Sequence, residues 1–240
     1  MQKRGCGSAG FAVNIKYERR FSMALLDRFT KDPLFKKKLA VMSIGVFLMG
    51  FFLSFLIKVD LGTDPCTFMN VTLSNRLGIG LGTWQLGLNL LLFIPVILYA
   101  RNLIGPGTVA NMVCIGYIAQ FFGWLWQKTI PEYIFTTWPY RAIVFALALL
   151  CFVIAASFYM NADMGVAPYD ALPVIISERL LKKIPFKFIR MGFDGSVTVI
   201  AILFGGKVRI ATVLMVFLLG PTISIVGKFL GKHVFKFGTV

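Results

Sequence analysis

Histidine is almost missing from this chain of 240 residues, and the single His233 stands beside Lys232 near the C-terminus, where it reads as a solvated tail residue. The four cysteines, Cys6, Cys66, Cys114 and Cys151, form no CxxC pair, and two of them fall inside apolar stretches. These scarcities argue against a zinc centre and against a disulfide framework. No nucleophile and base can be read from spacing either, so the chain is expected not to be an enzyme and to hold no metal or cofactor. Phosphate loops of the Walker or kinase type are absent, which argues against self-powered transport. Gly78-Ile-Gly-Leu-Gly82 lacks the strand-turn-helix setting of a dinucleotide site and reads as a flexible entry to a helix. Charge is scarce as well: 15% of residues carry it, and acids are the rarer kind, 10 against 25 Lys+Arg.

What the chain has instead is apolar bulk. Hydrophobic residues make up 58% of it, and the mean hydropathy is +0.79. A soluble domain of this size does not look like that. In a polar chain a net charge of +15 would point to nucleic acid; here it points to a membrane protein with basic residues gathered on one side of the bilayer, and no nucleic-acid partner is expected. Residues 1–40 hold ten Lys/Arg against Glu18, Asp27 and Asp32. This segment has no apolar stretch followed by a small-residue cleavage site, so no secretory signal is expected, and Met23 is an alternative start. The run Lys36 to Lys38 suits an orientation signal that also attracts anionic lipid.

A helix crosses a hydrocarbon core of about 30 Å in roughly 17–25 residues. Six windows qualify, at 39–57, 83–100, 107–126, 142–160, 188–204 and 210–227. Pro95 is expected to break the second, and Arg190 with Asp194 makes the fifth the weakest, so that a five-span reading would drop it. With the N-terminus inside, the inner segments hold the ten basic tail residues, Arg101, Arg179, Lys182, Lys183, Lys187, Lys228, Lys232 and Lys236. The outer ones hold Lys58, Arg76, Lys128, Arg141, Lys207 and Arg209. This three-to-one excess places both termini in the cytoplasm. The aromatic connection around Tyr133, Trp138 and Tyr140 suits an outer interface, and Phe121, Phe122, Trp124 and Trp126 suit an aromatic belt.

The chain also repeats itself. Asp60-Leu-Gly62-Thr-Asp64-Pro65 follows the first span and Asp163-Met-Gly165-Val-Ala167-Pro168 follows the fourth, 103 residues on. Trp84, Gln85 and Asn89 match Ile189, Arg190 and Asp194, and Thr108 to Gly116 match Thr212 to Gly220. The expected fold is therefore an all-α, polytopic membrane bundle of six spans, built from two inverted three-span repeats with short re-entrant or interfacial helices. Its parts are a basic cytoplasmic tail at 1–38, a first repeat at 39–126, an outer connection at 127–141, a second repeat at 142–230 and a tail at 231–240.

In the repeated motif the glycine permits a left-handed turn, the proline pre-sets a first helical turn, and Asp64 stands where an N-cap belongs. The short helices so started, at about 65–76 and 168–181, offer their N-terminal N–H groups to an anionic ligand. A structural turn leading to an amphipathic surface helix is the alternative, and repetition does not separate the two. Polar residues inside spans are more informative, since a charge at mid-bilayer costs about 2.5–3.5 kcal/mol. Arg190 and Asp194, at i and i+4, lie on one face and can pair. Gln85 and Asn89 occupy the matching face of the second span, so the four are candidates for lining a central polar cavity, with Asn111 as an addition. Interhelical hydrogen bonding is the competing role for the neutral ones.

Leu61-Gly-Thr-Asp-Pro65, Leu81-Gly-Thr-Trp-Gln85, Asn89, Ile104-Gly-Pro-Gly-Thr108 and Ala162-Asp-Met-Gly-Val-Ala-Pro168 together resemble the YczE branch of the YitT-type bacterial membrane proteins over about residues 40–230. The resemblance implies a bacterial inner-membrane helical bundle and no particular chemistry. The second motif departs from the first in having Ala167 where Asp64 stands. A looser, fold-level likeness joins such bundles to vitamin-binding subunits of energy-coupling importers. The leading expectation is a small-molecule transporter or membrane substrate-binding subunit acting on a solute. The alternative is an accessory protein that acts on a partner subunit or as a homo-oligomer through its basic surface.

Overall fold

The computed structural model describes residues 33–209 together with Thr212, Val213, Met215, Ile225 and Lys228. By packing, the chain divides into Met1–Lys38 and Leu39–Val240, and every contact below lies within the second unit. Regular structure among the described residues is helical throughout: α1 Phe35–Val59, α2 Pro65–Leu77, α3 Leu81–Tyr99, α4 Pro106–Thr129, the single turn α5 Tyr133–Thr136, α6 Tyr140–Asn161, α7 Pro168–Ile175 and α8 Phe186–Leu203. A 3-10 turn at Arg101–Leu103 joins α3 to α4, and α7 runs on into a wider turn at Ile176–Leu180.

The first four expected windows are α1, α3, α4 and α6, and these are long and apolar enough to cross a membrane. The fifth forms α8, a helix of 18 residues that carries Lys187, Arg190 and Asp194 and is not one of those four. Most of the sixth window lies outside the described residues. Pro95 does not break its helix as expected: α3 continues through it to Tyr99, because proline removes one N–H and the rest of the ladder survives where neighbouring helices pack against it. The expected short helices are α2 and α7 with its following turn.

Close approach of helices uses small residues, as apolar packing in lipid requires. A Cβ on Gly45 of α1 would stand 2.7 Å from the Tyr159 backbone nitrogen and 3.0 Å from the Ala155 carbonyl oxygen of α6. Neither backbone atom can turn aside. Gly45→Ala is expected to lower stability by about 1–3 kcal/mol, measured by thermal melting in detergent. Gly87→Ala, where a Cβ meets nothing within 4 Å, is expected to leave stability unchanged or slightly raised.

On its other side α1 packs its phenylalanines against α4. The Phe51 and Phe122 rings meet edge to face at 4.8 Å, Phe55 lies 4.7 Å from Trp126, and Trp126 Nε1 donates to Ser54 Oγ at 2.8 Å. The belt expected from Phe121, Phe122, Trp124 and Trp126 is thus divided by helical periodicity. Phe121 and Trp124 face outward, while Phe122 and Trp126, at i and i+4, belong to the α1–α4 contact. Elsewhere α3 packs along α4, α2 along α8, and α3 against α7, so the two short helices are held inside the bundle by long ones.

Candidate functional site

Both copies of the repeated motif fold as the same turn. Asp60 and Asp163, the positive-φ residues other than glycine among the described residues, each have φ 51°, and Gly62 and Gly165 follow at 120° and 104°. Aspartate tolerates the left-handed region better than most residues, and glycine is at home beyond it. Pro65 and Pro168 then open α2 and α7. The two turns are anchored differently. At the first, Arg209 pairs with the Asp60 carboxylate, and Arg141 donates to the Val59 and Asp60 carbonyls, each at 2.9 Å. At the second, Val166 N–H donates to the Leu103 carbonyl at 2.9 Å and Gly107 N–H to the Met164 carbonyl at 2.7 Å. Beside the first turn lies a cavity of about 400 Å³ bordered by Asp60, Thr63, Arg76, Lys207 and Arg209 among others.

These turns deliver the N-termini of α2 and α7 to α8, where Arg190 and Asp194 wait. Arg190 Nε donates to Asp194 Oδ2 at 3.0 Å, the pair expected from the i, i+4 spacing. Its Nη1 lies 2.8 Å from Asp170 Oδ1 in the first turn of α7. The Tyr169 hydroxyl donates to Asp194 Oδ1 at 2.7 Å, and the Arg190 guanidinium sits over the Tyr169 ring, 5.5 Å from its centroid. One arginine therefore bridges two carboxylates on two helices, with a tyrosine completing the shell of the more buried one. Asp64 joins from α2: its Oδ1 accepts the Thr67 N–H at 3.0 Å, an N-cap as expected. Asp64 is also close enough to Asp170 and Asp194 to interact electrostatically with both.

The expectation of an anionic ligand at the two helix N-termini meets an obstacle here. Those positive ends already hold carboxylates of the chain itself, Asp64 as the N-cap of α2 and Asp170 within the first turn of α7. Ala167 at the start of α7 thus does not leave the second half without an acid; Asp170 supplies it three residues later.

Gln85 turns away from this cluster. Among the described residues no hydrogen bond links Gln85 or Asn89 to Arg190 or Asp194. Trp84, Leu88 and Leu92 are the α3 residues packed near Tyr169 and Phe193. Gln85 lies instead against α4, where a Cβ on Gly116 would come 2.9 Å from its Oε1. Asn89 and Asn111 are buried within the bundle. Asp60 and Asp163 shape the turns and stand apart from the cluster, while Gly62, Gly165, Pro65 and Pro168 position the helices that reach it. The sequence reading missed Tyr169 and Asp170. Asp170 had one local signal, an acid in the first turn of a helix that begins with proline.

The chain combines four helices of membrane-crossing length and composition, with outward apolar faces such as Leu91, Leu98 and Leu147, and a cluster of charges on the helices between them. That combination defines a multi-pass helical integral membrane protein set in a lipid bilayer. The chain belongs to the family of unknown function DUF6198, which matches residues 36–228. It is 25% identical over 177 residues to the uncharacterized membrane protein YczE of Bacillus subtilis (strain 168), covering 73% of this chain and 79% of the relative. It is also 25% identical over 195 residues to the uncharacterized protein YyaS of the same strain, covering 79% and 92%. The YczE likeness of the sequence motifs is thereby met, while none of these matches carries the wider YitT grouping. No solved structure matches the chain.

Proposed function

We propose that the protein is a small-molecule transporter, or the membrane substrate-binding subunit of one, with its solute site at Asp64, Asp170, Arg190 and Asp194. The observation that carries this reading is the position of the cluster. Charges held within a bilayer-embedded bundle mark solute or ion pathways more often than packing devices, and these four come from three elements of which two begin at the repeated turns. In this reading the chain has six spans in two inverted halves. The halves are supported by the matched turns and by a further correspondence, since Thr108 N–H to Gly105 O and Thr212 N–H to Arg209 O are both 3.0 Å. The distribution of Lys/Arg favours both termini in the cytoplasm, and the likeness to a Bacillus membrane protein favours a bacterial inner membrane location. The cavity beside the first turn then opens on the outer side.

Solute uptake into vesicles, or small molecules retained on the purified protein and identified by mass spectrometry, tests the site. Asp194→Asn and Asp170→Asn keep side-chain volume and leave Arg190 one partner each. Uptake or retention normalised to folded protein is expected to fall at least tenfold in both, and wild-type behaviour in both would remove the proposal.

A further inference from the structure

The hydrogen-bond accounting of the cluster names what it lacks. Arg190 is engaged by Asp170 and Asp194, and both oxygens of Asp194 have partners. Asp64 is different, because Oδ1 accepts from Thr67 while Oδ2 is buried with no partner. On the same helix the Asn70 amide, 2% exposed, donates to Cys66 Sγ at 3.4 Å, and its Oδ1 is likewise buried and unpartnered. Cys66, which the Asn70 amide reaches, lies within electrostatic reach of Asp64, Asp170, Arg190 and Asp194. Both of these unmet groups on α2 are acceptors; the unmet Trp84 Nε1 on α3 and Tyr159 hydroxyl on α6 can donate but are neutral and do not offset the charge. Three carboxylates against one guanidinium leave an excess of negative charge, and a buried carboxylate oxygen without a donor is costly.

We infer that this site takes a monovalent cation, an alkali-metal ion or a protonated amine, at Asp64 Oδ2, and does not take the anion that bare helix N-termini would attract. This rests on the proposed solute site and assigns its ligand class. A multivalent metal is a poorer fit, since no group of three His, Cys, Asp or Glu side chains among the described residues is placed to hold one.

Protons compete for the same oxygen. The groups facing the cluster are Cys66 on α2, Tyr169 and Asp170 on α7, and Arg190 and Asp194 on α8, with Tyr159 of α6 beside Asp170. The carboxylate is the cation-binding form, so cation binding is strongest above its pKa and weakens as pH falls through it.

The test is thermal melting of the full chain in detergent, at constant ionic strength, with choline chloride replaced stepwise by sodium, potassium or methylammonium chloride. A saturable rise in melting temperature with at least one of these is expected, and which of them acts separates an inorganic ion from an amine. Below the Asp64 pKa the half-saturating concentration is expected to rise about tenfold per pH unit. Asp64→Asn keeps a good N-cap and is expected to weaken the response at least tenfold, whereas Glu132→Gln, in an exposed loop, leaves it intact. Asn70→Leu, at the second acceptor, is expected to weaken it too and stands in if Asp64→Asn does not fold. No response beyond choline in the wild type, a full response in both α2 variants, or saturable stabilisation by sodium acetate or phosphate at fixed sodium would overturn the inference. This readout requires binding but no transport, so it can fail while the uptake experiment succeeds, and the reverse.

Discussion

Arg190→Met is expected to destabilise the protein by about 3 kcal/mol. The reason is the number of groups that depend on it. Removing the guanidinium strands Asp170 and Asp194 together, leaving a like-charge pair inside the cluster with only the Tyr169 hydroxyl for support. Breaking a buried pair from one side costs about 3–5 kcal/mol. The lower end applies because the Arg190 side chain is 25% exposed and because a stranded carboxylate can take up a proton and become neutral. The triple variant Arg190→Met, Asp170→Asn, Asp194→Asn removes charge from both sides and is expected to recover more than half of the loss. Thermal or denaturant melting in detergent reads both. If the triple variant is no more stable than Arg190→Met, the electrostatic account fails and packing by the arginine stem is the cause.

The particular residues show which parts of this arrangement a sequence can disclose. The turns were legible because Asp-x-Gly-x-x-Pro encodes local backbone geometry: φ at Asp60, Gly62, Asp163 and Gly165 follows from which residues tolerate the left-handed region. The Arg190–Asp194 pair was legible because an i, i+4 spacing fixes a distance within one helix. Gln85 and Asn89 were assigned to the same cavity by their offset from Arg190 and Asp194. An offset carries position along a helix, while the rotation of that helix about its axis is set by its neighbours. In α3 the broad Trp84–Leu88–Leu92 stripe packs toward Tyr169 and Phe193, and that turns Gln85 toward Gly116. Asp170 and Tyr169 escaped because their partners lie on α8, 20 and 25 residues away, and nothing local announces such a contact. The same limit applied to the ligand: free N–H groups at a helix start invite an anion, but which carboxylates already occupy them is decided by the cap and by tertiary approach.

Gly165→Ala is expected to cost about 4 kcal/mol and, unlike most glycine substitutions, to disturb the charged cluster from a distance. Two penalties coincide. The residue sits at φ 104°, a region that side chains with a Cβ rarely enter, at about 1–3 kcal/mol. The added Cβ would also stand 2.5 Å from the Gly105 nitrogen, 2.6 Å from Thr108 Oγ1 and 2.8 Å from the Gly105 Cα, and overpacking against backbone adds about 1–3 kcal/mol. Relief requires the second turn to lift off the segment before α4, which breaks the Val166 to Leu103 and Gly107 to Met164 hydrogen bonds. Since α7 starts at Pro168, Tyr169 and Asp170 move with the turn and the Arg190 contact at 2.8 Å is lost. The substitution should therefore weaken any cation response of the purified protein as well as its melting temperature. Gly78→Ala is the control, because that glycine also has positive φ, at 68°, but a Cβ there meets nothing within 4 Å; about 1 kcal/mol and an unchanged cation response are expected. Equal losses in the two variants would show that backbone conformation alone sets the cost, and that the second turn does not position Asp170.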